Sequence, residues 1–243
     1  MLDAESKKMA EELLFSEKKK PSFAKQLFQG KFDAKLVFPF PEPSPREKRE
    51  ADLYVEKVKA FAAAKIDARQ IDKEGVIPQE VIEGLGELGL LSLTIPAQYG
   101  GLGLSQYAYC RAMEVIAARC AATALFINAH QSVGLKALLL FGTEKQKSEW
   151  LPKLAKGKAL AAFSLTEKNA GSDAAGIETV AEYDPAKRVY RISGRKQWTT
   201  NGSLAKILTV MAKTDGKVTA FIVTPEMKGF SVLDRALEKV GMR

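Results

Sequence analysis

Apolar positions recur at helical spacing over roughly the first 155 residues and fall into short, β-rich runs after that. Residues 1–20 read as a charged amphipathic helix with a thin apolar side of Leu2, Met9, Leu13 and Leu14. The stretch FPFPEPSP, Phe38 to Pro45, cannot propagate a helix, because proline removes backbone donors and restrains its neighbours. It predicts an extended linker. A firm helix follows from about Arg46 to Asp67, with Leu53, Val55, Val58, Phe61, Ala62 and Ile66 approximating one face. Pro78 suits the first turn of a second helix, QEVIEGLGELG, closed by Gly89. PAQYGGLGLS reads as a loop, helices follow at about 105–120 and 122–141, and Thr143 with Gln146 predicts a capping box.

After Leu151-Pro152 the character changes. Segments near 160–165, 177–183, 188–193, 196–200, 205–212 and 218–224 are short and rich in β-formers. Tyr183-Asp184-Pro185 and Thr214-Asp215-Gly216 supply turn signals between them. RVYRIS alternates as a half-buried strand does. Helices first and strands second define an α+β fold: an all-helical N-terminal domain, then an antiparallel, barrel-like β domain. The expected divisions are an extension and linker over 1–45, a helical domain over 46–157 and a β domain over 158–243.

The 243 residues are 46% hydrophobic and 27% charged, the balance of a soluble globular protein with a sizeable core. The formal charge of +8 is interspersed with acids. The densest basic segments, Lys18–Lys20 and the Lys145 to Lys158 region, lack the aromatic interleaving of a nucleic-acid face. They read as solvated helix faces, with a general attraction to phosphate-bearing ligands left open. Cys110 and Cys120 fall on one helical segment, roughly 15 Å apart at about 1.5 Å per residue. That is too far for a disulfide, so free, buried thiols in a reducing compartment are expected. Residues 120–141 have the length of a membrane span, but Asn128, His130, Gln131 and Lys136 interrupt the run, so a buried helix is expected and no integral membrane segment. The N-terminal stretch has no apolar signal core, and its acids argue against a transit peptide.

Several motifs fail on context. Gly84-Leu85-Gly86-Glu87-Leu88-Gly89 is a literal G-x-G-x-x-G, but it lies in a helical pattern with no strand before it. Packing glycines and a helix cap explain it better. Neither a nucleophile elbow nor a phosphate-binding loop of the G-x-x-x-x-G-K type occurs. His130, the single histidine, reads as a satisfied core or pocket-lining residue rather than a base, and one histidine with two cysteines gives no metal site.

Two polar strand ends remain. AFSLTEKNAGSD, 162–173, carries Phe163, Leu165, Thr166, Glu167, Ser172 and Asp173. A polar loop closing a strand and a ligand cradle of amides and hydroxyls both explain it. In KQWTTNG, Lys196 to Gly202, residues i and i+2 of a strand share a face. Trp198 and Thr200 would then offer a flat π surface and a hydrogen bond to a planar heteroaromatic ligand. A tryptophan in a β core beside a cross-strand threonine fits equally.

These motifs resemble those of the acyl-CoA dehydrogenases. TEKNAGSD is similar to the family's TEPxxGSD, KQWTTNG to K-x-W-I-[ST]-N-G, IPAQYGGLGLS to P-x-x-[YF]-GG-x-G, and EKVGMR to E-x-K-x-G-x-R. Four weak motifs in the family order are together specific. SFAKQLFQGKF, VFPFPEPS, KIDARQIDKEG and NAHQSVGLKALLLFGT resemble the very-long-chain branch, including its relative that helps assemble respiratory complex I. The resemblance implies a helical domain, a β domain and a C-terminal four-helix bundle, with FAD between the last two. It places Phe163, Ser164, Leu165 and Thr166 beside the flavin, Leu165 and Thr166 at its pyrimidine edge. Trp198, Thr199 and Thr200 would flank the ring, Thr200 near N5, and Ser172 would lie between cofactor and the CoA portion of the substrate.

The implied reaction removes the α proton with a glutamate and transfers a hydride from Cβ to the flavin, giving a trans-2-enoyl-CoA from a long-chain acyl-CoA. Electrons pass to an electron-transfer flavoprotein, and the full-length family members are homo-oligomers. The implied location is the cytoplasm of a bacterium or the mitochondrial matrix of a eukaryote. The Asn128 to Gly134 helix is implied as an acyl-channel wall. Lys168 stands where the family has proline, which is expected to loosen the turn. The chain stops at Arg243, before the bundle and its glutamate, so no catalytic residue is assigned and Glu167 is not offered as one. The alternatives are a non-catalytic short relative that binds a partner, and an acyl-CoA oxidase.

Overall fold

The computed structural model describes residues 22–233. The helix expected over 1–20 and the EKVGMR stretch lie outside the described residues. Chain order gives α1 (Phe23–Phe28), α2 (Pro45–Lys65), α3 (Ala68–Glu74), α4 (Gln79–Glu87), α5 (Gln106–Arg119), α6 (Ala121–Asn128), a π-helical turn (Ala129–Gly134), α7 (Lys136–Phe141) and α8 (Glu144–Ala155). The strands are β1 (Ala161–Ser164), β2 (Val180–Asp184), β3 (Val189–Ser193), β4 (Ile207–Thr214) and β5 (Lys217–Val223).

Local chemistry sets the helix ends. Ser44 caps α2: its Oγ accepts the Glu47 N–H at 3.2 Å, and Glu47 accepts the Ser44 N–H at 2.8 Å. Pro45 occupies the first turn, where its missing donor costs nothing. The helix ends at Lys65 rather than Asp67, because the Asp67 carboxylate accepts the Arg69 and Gln70 amides and starts α3. Thr143 and Gln146 form the reciprocal box expected for α8. Helix α2 packs on α5, burying Ala51, Tyr54, Val55, Val58 and Ala62. Leu53, read as part of that face, is exposed. The glycines of the decoy motif are structural. A Cβ on Gly84 would come within 2.5 Å of the Phe61 ring, and Gly89 takes φ +78 just past α4.

The 122–141 helix is not continuous. Its middle widens into the π turn, closed by the Leu135 N–H on the His130 carbonyl at 2.9 Å. The Ala121–Phe141 segment is long and apolar enough to cross a membrane by length and composition alone, yet over half of it is buried within the fold. One core joins α2, α4, α5 and α6 through Val58, Leu85, Ile116 and Ile127; of the two thiols expected to be buried, Cys120 joins this core but Cys110 is exposed. A second, with Leu135, Leu138, Leu151 and Leu154, extends to Ala161 of β1 and Ile207 of β4 and seats the sheet on the helices.

The sheet is mixed rather than antiparallel throughout. The β2–β3 and β4–β5 hairpins are antiparallel, as their turn signals require. Strand β4 pairs parallel with β1 over Ile207–Val210 and with β2 at Lys213, so two short strands share one of its edges. The chain between β1 and β4 contains the β2–β3 hairpin, long enough for a parallel return. Across the sheet, Tyr190 of β3 and Phe221 of β5 bring their ring centroids to 5.1 Å. The segment at 196–200 is not a strand.

Candidate functional site

Residues 164–167 and 196–199 run alongside one another, tied by side chains more than by backbone. Gln197 donates its N–H to the Thr166 carbonyl at 2.8 Å. Lys196 Nζ donates to the Leu165 carbonyl at 2.9 Å and to Glu167 Oε1 at 2.6 Å. The Ser164 and Thr199 hydroxyls share a 2.9 Å hydrogen bond. Trp198 and Asn201 take φ values of 57° and 63°. A left-handed tryptophan costs about 1–2 kcal/mol, which breaks the strand expected here; Asn201-Gly202 is the turn signal that could have revealed it. Asn201 Nδ2 then reaches the Phe126 carbonyl of α6 at 2.9 Å and fixes the loop to the helical domain.

Glu167 anchors the other loop. Its buried carboxylate accepts the Glu178 and Thr179 amides, the Thr179 hydroxyl and the Lys196 ammonium. Burial pushes its pKa up, but Lys196 and then the Thr179 and Glu178 donors outweigh it and hold the carboxyl at about 2. With four donors and so low a pKa, Glu167 is unsuited to take a proton near neutrality. The turn around Lys168 is not loosened: Glu167 and Ala170 exchange amide–carbonyl bonds of 3.0 and 3.3 Å, and Lys168 is exposed.

His130 is buried in the π turn. Its Nδ1 accepts the Ala161 N–H at 2.9 Å, so the proton sits on Nε2, which donates to the Leu91 carbonyl at 3.1 Å. Burial lowers its pKa to about 4 against the small opposing pull of that carbonyl. Gln131 alongside donates to the Leu90 carbonyl at 2.5 Å. Gly134 sits where a Cβ would come within 2.6 Å of the Ala161 carbonyl. His130 is thus a satisfied core residue that joins the helices to β1.

A cleft of about 1550 Å³ opens between α6 and the Lys196–Gly202 loop. Ser164, Trp198, Thr199 and Thr200 of the expected site line it, together with Leu125 and Phe126. Trp198 is 53% exposed, so it walls the cleft rather than packing in a core. Phe163, Leu165, Thr166 and Ser172 lie outside this lining; Ser172 is exposed on the bend beyond Glu167. The cleft meets α6 at Leu125 and Phe126 and not the 128–134 segment, where His130, Gln131 and Gly134 face the core. Lys196, Thr179 and Asn201, which brace the loops, were not assigned roles from sequence; their bonds span 29, 12 and 75 residues. Among the described residues no cluster of His, Cys, Asp and Glu could hold a metal.

A helical unit carrying a small mixed sheet, with a ligand-sized cleft between a helix and a pinned loop, defines an α+β binding scaffold. Comparison makes it specific. The family descriptions "Acyl-CoA dehydrogenase, N-terminal domain" and "Acyl-CoA dehydrogenase, middle domain" match residues 48–158 and 162–243. The chain belongs to the acyl-CoA dehydrogenase family. It is 38% identical to the probable acyl-CoA dehydrogenase FadE10 of Mycobacterium tuberculosis, over 99% of this chain and 38% of that protein. It is 39% identical to the human mitochondrial very long-chain specific acyl-CoA dehydrogenase, over 83% of this chain and 32% of that protein. A Bacillus anthracis acyl-CoA dehydrogenase complexed with FAD superposes with a TM-score of 0.72 at 31% identity, covering 78% of this chain and 33% of that one. The chain therefore spans between about a third and two fifths of these curated relatives.

Proposed function

We propose that this chain forms the helical and sheet portion, 46–157 and 158–243, of a FAD-dependent acyl-CoA dehydrogenase that converts long-chain acyl-CoA to trans-2-enoyl-CoA. The observation that carries the reading is the half-exposed Trp198 beside the Thr199 and Thr200 hydroxyls, on the wall of a cleft large enough for a dinucleotide. That donor set fits a flavin: an indole face for a planar ring and neutral hydroxyls for its polar edge. Ser164, Trp198, Thr199 and Thr200 would hold it, with Phe163, Leu165 and Thr166 approaching from the β1 end and Ser172 toward the CoA portion. Arg195 and Lys228 also line the cleft and favour phosphate-bearing ligands. Bound FAD would supply the hydride acceptor. The chain's own part is to orient the ligand and exclude water on the Trp198 side. No catalytic base is assigned among these residues, and Glu167 is unsuited to that role. In this reading electrons leave to an electron-transfer flavoprotein, the assembled protein is a homo-oligomer, and it works in a bacterial cytoplasm or a mitochondrial matrix.

A second reading, a non-catalytic relative that binds a partner, draws on the sheet surface, where Val180, Tyr183, Val189 and Tyr190 are all exposed. Titration of the purified chain with FAD, followed by calorimetry, separates the two. Saturable binding weakened at least tenfold by W198A, then anaerobic bleaching of the flavin band by long-chain acyl-CoA with added base-bearing segment of a full-length relative, supports the dehydrogenase reading. An absence of FAD binding leaves the partner-binding reading.

A further inference from the structure

The Lys196–Glu167 pair spans the two loops that approach the cleft, and its geometry exceeds what neutralising a buried carboxylate needs. Glu167 already accepts two amides and a hydroxyl from Glu178 and Thr179. Those donors hold a carboxylate without a cation. Lys196 instead divides its ammonium between Glu167 and the Leu165 carbonyl, with 11% and 5% of the two acidic and basic partners' side chains left to solvent, lysine first. The residues it joins lie on either side of Thr166, whose own carbonyl takes the Gln197 amide. Two residues on is Trp198, in a backbone conformation that an L-residue other than glycine adopts only under outside restraint. The restraints are identifiable: Lys196 and Gln197 before it, Thr199 and Asn201 after it.

We propose that Lys196 is a positioning residue, acting through Trp198. Its bonds to Leu165 and Glu167 fix the spacing of the β1 end and the Trp198–Thr200 loop, so that the indole stands as a preformed wall of the cleft. The inference rests on the flavin reading for its ligand, but the position of the indole is a property of the protein alone. Lys196 also lines the cleft, but its ammonium is committed to the Leu165 carbonyl and Glu167. Pre-setting the indole spares a planar ligand the cost of ordering the loop on binding.

The test uses the full 243-residue chain with Trp150 replaced by Phe, leaving Trp198 as reporter. K196M and K196R are compared with this parent by acrylamide quenching without ligand and by FAD titration. The expected result is an altered quenching constant for K196M, FAD affinity at least tenfold weaker, and recovery of most of both by K196R. Trp198 quenching unchanged in folded K196M overturns the proposal, whatever happens to affinity, because the pair is then structural only. If the parent binds no FAD, the flavin reading fails for this chain, and the quenching comparison alone decides the positioning role. If K196M does not fold, K196Q, which keeps a donor for the Leu165 carbonyl but no charge, takes its place under the same criteria.

Discussion

Acid should loosen this fold through His130 before most carboxylates titrate. The imidazole is buried, uses both nitrogens, and has its pKa depressed from 6.5 to about 4, with burial as the main cause. Among the described residues no charged side chain contributes to that shift. Because folding depresses the pKa, the unfolded chain takes up the proton first as pH falls. The stability this group contributes is intact above pH 6.5 and drains away as pH falls toward about 4. With those two values the loss is negligible at pH 7 and about 2 kcal/mol at pH 4.5. His130→Gln keeps an acceptor for the Ala161 amide and a donor for Leu91 but does not titrate. Urea unfolding of both proteins at pH 7 and pH 4.5 isolates the effect, since every other titrating group is common to them. The parent should lose about 2 kcal/mol more than the variant over that interval. Equal losses, within about 0.5 kcal/mol, would refute the assignment of a buried neutral imidazole.

Other outcomes follow from particular contacts. Glu167→Gln leaves the Lys196 ammonium buried with half its partner gone, and should cost about 3–5 kcal/mol in chemical denaturation; a cost under about 1 kcal/mol would show the pair to be solvated. Gly84→Ala should destabilise by about 1–3 kcal/mol, because its Cβ meets the Phe61 ring. Gly86→Ala, with nothing nearer than 3.8 Å, should be neutral or stabilise by about 1 kcal/mol, and neither substitution should alter FAD binding. Thr143→Ala removes the capping box of α8 and should lower stability by about 1 kcal/mol, read from the thermal midpoint.

The helical half was legible because its signals are local. Thr143 carries its capping partner within three residues, and the α2 stripe repeats at one period, Leu53 excepted; the equally local Ser44–Glu47 box goes unread when Ser44 and Pro45 are placed in the linker. The two hairpins were legible for the same reason, since each turn lies between the strands it joins. What was not legible is what depends on distant groups. Nothing near Ala161–Ser164 announces a parallel partner at Ile207–Val210. The π turn follows from Gly134 lying against Ala161 and from His130 and Gln131 reaching Leu91 and Leu90. The Trp198 loop looked like a strand because Trp and Thr favour one, and tertiary bonds overrode that preference. Of the expected site residues, those gathered at the cleft are Ser164, Trp198, Thr199 and Thr200; resemblance, not periodicity, had named Ser164 and Thr199.

Strand β1 explains why the helices and the cleft belong to one device. At its start the Ala161 amide is held by His130, and the Ala161 carbonyl sits against Gly134. At its end Ser164 bonds Thr199, and the next two carbonyls hold Lys196 and Gln197. Four extended residues cover only about 13 Å, and all but Phe163 are buried. Sliding by one residue would turn every side chain to the opposite face of the sheet. The strand therefore acts as a fixed spacer between the π turn and the loop, while Asn201 returns from that loop to Phe126 on α6. The route closes on itself: helix to strand, strand to loop, loop to helix. The loop that forms one wall of the cleft is thus tied on both sides, and that is the condition under which a left-handed tryptophan can stand there.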